Sequence, residues 1–217
     1  MSMRAGTLVA FTAALALGHD VRAQGTAPSI MRTVNRTHSV VQESGRAVVR
    51  LDAKPGDGFA VVTGPAFAEG TIELEARGED VQGQSFVGVA WNVQNDSTYE
   101  AVYLRPFNYR TTDTARAKRS LQYVSQPAYP WQKLRAETPG KYEQPVRPSP
   151  DPAAWVALRL VVTATQVSVY ANGGPEPDLV VQRLGAAKAG PVALWVGNAS
   201  RGDFSNLRVT PATSPPR

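Results

Sequence analysis

The chain has 217 residues, a formal charge of +5, no cysteine and two histidines, His19 and His38. No disulfide can form, and Cys-rich or multi-histidine zinc sites are excluded. A Ser-His-Asp triad would rest on His38 as its single base, so acid–base chemistry falls to carboxylates, Tyr, Lys or Arg.

Residues 1–23 read as an export signal. Arg4 precedes an apolar run over 5–17, and Val21-Arg22-Ala23 supplies small residues at the −3 and −1 positions of a cleavage site. The run falls short of the roughly 20 residues that cross a bilayer, and no second stretch reaches that length. The expectation is a secreted protein, periplasmic or extracellular, with no membrane span. Residues 24–36 then read as a linker, 37–210 as one domain, and the proline-containing 211–217 as a disordered tail.

Within the domain, short β-rich runs follow one another. They include 47–51, 59–62, 71–76, 86–91, 99–105 and 121–125, then 155–164, 166–171, 179–184, 191–196 and 206–210. Turn residues such as Lys54-Pro55-Gly56-Asp57-Gly58 and Asn172-Gly173-Gly174-Pro175 separate them. No helical period stands out beyond the signal. About eleven strands at this spacing predict an all-β fold, a two-sheet antiparallel β-sandwich of the jelly-roll kind. Two segments break the rhythm: 106–120, ending in Arg116-Ala117-Lys118-Arg119, and the proline-rich 126–154 with Tyr129, Trp131 and Tyr142. Both read as long loops over one face.

Several pieces carry a resemblance. Phe67-Ala68-Glu69-Gly70-Thr71-Ile72-Glu73 is similar to the "F-x-x-G-x-I-E" opening of an early strand in concanavalin A-like sandwiches. The hairpin of 86–91 with 99–107, the "W-x-x-L-R … V-x-V-Y-x-N-G" pair of 155–160 with 167–173, and the closing runs 190–197 and 204–209 follow in the matching order. Together they resemble the concanavalin A-like lectin/glucanase superfamily over most of the chain. The nearest likeness is to 3-keto-disaccharide hydrolase-like and laminin-G-like domains, then to family 16 glycoside hydrolases. The resemblance implies a carbohydrate ligand held on the concave sheet beneath loops; a fold by itself does not establish a function.

Alternation along strands nominates residues for that face. With Val102 and Leu104 inward, Tyr99, Tyr103 and Arg105 point outward; Asn92 is outward if Val89 and Trp91 face the core. Tyr123 joins from the neighbouring strand and Trp131 from its loop. Aromatic faces suit sugar C–H groups, and the arginine fork donates several hydrogen bonds. Glu73 and Glu75 point outward from 71–77, with Cα atoms roughly 6.6 Å apart at two residues' spacing. Paired carboxylates about 5–9.5 Å apart can hydrolyse glycosides, which makes Glu73, Glu75 and Arg105 the catalytic candidates. The family 16 pattern E-x-D-x-x-E is not met, since Gly78 stands where its third carboxylate would be.

No cofactor is required by these residues. Calcium has candidate oxygen donors in Asn95, Asp96, Asn198, Asp203 and Asn206, all of types that also form turns. Lys118, Arg119, Lys133 and Arg135 form a basic fringe; export and a mild charge argue against nucleic acid as partner. Three functions fit: a hydrolase acting on glycosides or 3-keto-glycosides, a non-catalytic carbohydrate-binding module, and a structural or protein-interaction sandwich.

Overall fold

A computed structural model describes residues 27–213. The expected signal and residues 214–217 of the expected tail lie outside the described residues. The fold is an all-β sandwich of two seven-stranded sheets in which every strand pair is antiparallel.

In chain order the strands are β1 (Ile30–Val34), β2 (His38–Glu43), β3 (Arg46–Leu51), β4 (Gly58–Val62), β5 (Gly70–Arg77), β6 (Val87–Asn95), β7 (Thr98–Leu104), β8 (Leu121–Gln126), β9 (Glu143–Gln144), β10 (Val156–Val162), β11 (Gln166–Ala171), β12 (Leu179–Gln182), β13 (Ala193–Val196) and β14 (Gly202–Pro211). One sheet runs β1-β4-β13-β6-β7-β8-β9 and the other β12-β11-β10-β5-β14-β3-β2. We call them the first and second sheets.

The second sheet alternates as a sheet with one wet face must. Ile72, Leu74 and Ala76 of β5 and Val156, Leu158, Leu160 and Val162 of β10 are buried, while the residues between them reach outward. The middle of the first sheet is buried on both faces: β4 and β13 are closed along their whole length, as is β6 from Val87 to Val93. Its inner side contributes Val87, Val89, Trp91, Val102, Leu104 and Tyr123 to the core. Its outer side carries a second layer of rings, Phe59, Tyr99, Tyr103 and Trp195.

Two expectations change. The segment expected as a linker contains β1, whose backbone pairs with β4. The proline-rich stretch is not all loop: α2 (Trp131–Glu137) and β9 lie within it, and a short 3-10 turn (Pro106–Asn108) and α1 (Thr114–Ala117) lie in 106–120. Asp113 caps α1, accepting from the N–H groups of Ala115 and Arg116. In α2 only Leu134 is buried. One anchoring side chain leaves too little apolar period to read from sequence.

Candidate functional site

The predicted catalytic set does not assemble. Glu73 and Glu75 stand on β5 of the second sheet and face outward. Arg105 directly follows β7 of the first sheet, on that sheet's own outer side with Tyr103. The core lies between them. Strand alternation separates in from out within a sheet; it does not say which of two outer faces is meant.

Around Glu73 and Glu75 the second sheet carries a broad open depression of about 830 Å³, shared with Arg46, Arg159, Tyr170 and Arg208. Each carboxylate there already faces an arginine. Glu75 meets Arg46 at 2.7 Å and accepts from Asn206, and Glu73 lies 3.8 Å from Arg208. The Tyr170 ring is covered by the Arg159 guanidinium at 3.6 Å. This surface is a salt-bridged face with no free aromatic platform.

Two further candidates turn away from the outer face. Tyr123 lies within the sandwich and is fully buried; its hydroxyl donates to Glu100 Oε1 at 2.7 Å and accepts from the Leu184 N–H at 2.9 Å. Burial, with Glu100 beside it, pushes its hydroxyl pKa well above the ordinary range. Asn92 sits at an irregularity between Trp91 and Asn95, with φ at 52°. Asparagine tolerates this left-handed geometry. Two extra residues in β6 break the alternation, and the Asn92 amide donates to Glu100 Oε2 (3.1 Å) and the Ala186 carbonyl (2.8 Å). Both residues thus support a buried ion pair, Glu100 with Arg183, at 2.7 Å and at most 1% exposed.

The other aromatics converge on the outer side of the first sheet. Tyr103 on β7 stacks on Trp195 of β13, with ring centroids 4.8 Å apart and an interplanar angle of 28°. Gly88 stands between them in the ladder, opposite both, and its missing side chain leaves room for the stack. Phe86 meets Tyr103 edge-on at 6.0 Å. The Trp195 indole N–H donates to the Tyr99 hydroxyl at 3.2 Å. Burial raises the Tyr99 hydroxyl to about 12 and raises that of Tyr103 as well, so both stay protonated. Arg105, 4% exposed, donates to the Tyr103 hydroxyl, Gln122 Oε1 and the Arg119 carbonyl. Its donors are committed to holding this layer.

Above the rings is a pocket of about 480 Å³. Tyr103 and Trp195 contribute to its floor, and Trp131, presented by the first residue of α2, to its wall. Gln126, Gln132, Asn198 and Asp57 supply the polar groups. Trp131 is 38% exposed, an unusual surface position for so large a ring, and the Arg135 guanidinium stacks on it at 4.6 Å. Asp57 reaches solvent, yet the surrounding protein desolvates its carboxyl enough to raise its pKa, against opposing help from the Asn198 backbone N–H and Arg36. A carboxyl that meets both water and dense protein is what a pocket wall provides. It is the single carboxylate lining this pocket.

Asp57, Trp195, Phe86 and the two glutamines carry no sequence signal for a ligand contact, and Asn198 carries one only as a calcium donor. Asp57 sits in the turn 54–58, where Asp normally serves the backbone. Trp195 sits within an apolar run, 191–196, that reads as core. Of the residues nominated from sequence, Tyr103 and Trp131 line this pocket.

The calcium candidates are engaged elsewhere. Asp203 accepts from Arg50 (2.7 and 2.9 Å) and Arg77 (2.6 Å), and Asn198 Oδ1 accepts from the Gly56 N–H at 2.8 Å. Asn206 donates to Glu75, Asn95 caps Ser97, and Asp96 pairs with Arg32. Among the described residues no group of three or more His, Cys, Asp or Glu side chains is placed to hold a metal ion. No helix among them is long and apolar enough to cross a membrane.

No family model matches the sequence, and no curated protein matches it. Solved structures do share the fold. The carbohydrate-binding module CBM66 from Bacillus subtilis superposes with a TM-score of 0.53 at 12% identity, covering 83% of this chain and 98% of that one. A Bacillus subtilis protein of unknown function with a galectin-like fold gives 0.52 at 9% identity, covering 81% and 86%. The architecture is that of the galectin-like and concanavalin A-like β-sandwiches.

Proposed function

We propose that this chain is an exported carbohydrate-binding sandwich that holds a saccharide, without cleaving it, in the pocket between Trp131 and the Tyr103–Trp195 pair. The observation that carries the reading is the exposed Trp131, fixed beside buried rings and surrounded by amides. A sugar needs an apolar ring face for its C–H groups and amides or carboxylates for its hydroxyls, and this pocket offers both. The shared fold with a carbohydrate-binding module is consistent with it. The apolar run after Arg4 supports export. A single carboxylate does not supply the acid and base, or acid and nucleophile, that glycoside hydrolysis uses.

Calorimetric titration against a panel of neutral oligosaccharides, with reducing-sugar release followed in parallel, tests the proposal. Wild-type protein is expected to bind at least one neutral saccharide without releasing product. Trp131→Ala, which removes an exposed ring, is expected to keep the melting temperature and weaken binding by roughly tenfold or more. Turnover on glycosides or 3-keto-glycosides would overturn the non-catalytic reading. Unchanged affinity in Trp131→Ala would overturn the site.

A further inference from the structure

Beside the Trp131 pocket lies a second cavity of about 320 Å³. The two share Gly83, Phe86 and Trp131, so they meet at the same two rings. The second is lined by four arginines, Arg105, Arg116, Arg119 and Arg135, and by no carboxylate, with apolar atoms making up most of the wall.

These arginines are under-neutralised. Arg116 donates to Asn108 Oδ1 (3.2 Å), Gln82 Oε1 (3.1 Å) and the Phe107 carbonyl (3.2 Å), all neutral acceptors. Arg105 donates only to neutral acceptors too. One carboxylate serves the group: Glu143, buried, lies 2.7 Å from Arg135, 3.3 Å from Arg119 and 3.8 Å from Arg105. Four positive charges therefore face one negative charge across a partly desolvated space. Burial lowers the pKa of Arg105, and its neighbours Arg135 and Arg119 push in the same direction. Like charges confined at low dielectric repel, and a bound anion relieves that cost. Aromatic rings hold the guanidinium planes in place: Arg135 over Trp131, Arg116 over Phe107 at 5.9 Å and Arg105 over Phe86 at 5.8 Å. The N–H groups that these bonds leave over can meet the paired oxygens of a carboxylate or sulfate.

Resting on the saccharide reading of the Trp131 pocket, we propose that the ligand is an acidic glycan, whose carboxylate or sulfate enters the arginine-lined cavity while a neighbouring sugar ring lies against Trp131. The cavity has the volume for a sugar-sized group and adjoins an aromatic wall, which favours an anionic sugar over a simple ion.

The test is titration of the full exported chain with matched ligands: an oligogalacturonate and its methyl ester, a sulfated galactan oligosaccharide and its desulfated form, inorganic phosphate, and a short single-stranded oligonucleotide. At least one acidic saccharide is expected to bind roughly tenfold or more tighter than its neutral counterpart, with a preference that shrinks as salt rises. The uronate and sulfate arms identify which anion is preferred. Arg116→Gln removes a charge held only by neutral partners; it is expected to erase most of that preference and to leave affinity for neutral saccharide within about twofold. Equal affinity for both acidic saccharides and their neutral forms, or a preference untouched in Arg116→Gln, would overturn the proposal while neutral binding still upheld the Trp131 pocket. Tighter binding of the oligonucleotide or phosphate than of either acidic saccharide would overturn it as well. Loss of all saccharide binding would instead sink the underlying reading.

Discussion

Glu75 and Arg105 face away from each other across the sandwich, Glu75 from β5 of one sheet and Arg105 from the end of β7 of the other. Two packed sheets stand about 10 Å apart before any side chain extends outward, so one sugar bond cannot touch both. Glu75→Gln is therefore expected to leave saccharide affinity within about twofold of wild type. It weakens the pairing with Arg46, a partly exposed contact worth on the order of 1 kcal/mol or less. Titration together with thermal melting checks both statements, and a tenfold loss of affinity would contradict them.

Gly88 sets the height of the pocket floor. A Cβ there would lie 2.0 Å from the Val102 carbonyl oxygen and 2.6 Å from the Tyr103 Cα, both backbone positions. Backbone in a central strand gives way only at a cost, about 1–3 kcal/mol or more for an overpacked site. Gly88→Ala is expected to lower the melting temperature by several degrees and, by shifting Tyr103 off Trp195, to weaken ligand binding as well. Near-UV circular dichroism would report the disturbed ring pair.

Glu100 and Arg183 form the buried ion pair of the sandwich interior. Removing one partner leaves the other charge unpaired in the core, which costs about 3–5 kcal/mol. Arg183→Met is expected to lower the melting temperature on the order of 10 °C at this chain length. Replacing both residues by apolar ones of similar size is expected to recover part of that loss, since the Tyr123 hydroxyl and the Asn92 amide then lose Glu100 as acceptor. Thermal unfolding of the single and double variants distinguishes the two.

Asp203 gives a pH signature. Burial alone would raise its pKa, but hydrogen bonds and charge from Arg50 and Arg77 outweigh burial and hold it below the ordinary 3.8. A carboxyl depressed in the folded state contributes stability above its unfolded value and loses it as the pH falls through the folded value. Asp203→Asn is expected to be less stable than wild type by about 1.5–3 kcal/mol near neutrality. The gap should begin to narrow as the pH falls below about 4 and close below the folded pKa. Asp57 and Asp178 work in the opposite direction, since burial raises both and their protonation favours the folded state. Comparing wild type and variant at each pH isolates the Asp203 contribution in urea titrations.

Much of the sandwich was legible because alternation and turn chemistry are local. Ile72, Leu74 and Ala76 inside with Glu73 and Glu75 outside follows from β5 alone. The site was less legible because its making is not local. Tyr123 belongs to a strand buried on both faces, where alternation carries no contrast. Asn92 is displaced by two extra residues in its strand, an event that no period reveals. Glu75 and Arg105 each lie on an outer side, and only the assignment of strands to different sheets parts them. Trp195 and Asp57 join the pocket through pairings and loops distant in sequence.

The excursion that carries Trp131 leaves the end of β8 and returns as β9, which hydrogen-bonds to β8 alone at the margin of the sheet. A bridge between Ser125 and Tyr129 ties its start to the same strand. Residues 127–144 are thus a cassette hung on a single edge, whereas Tyr103 and Trp195 are bolted into the middle of the ladder. What the pocket prefers can drift, or be redesigned, through the exposed residues of that cassette, provided Leu134 and Tyr142 keep their place in the core and Glu143 its arginines.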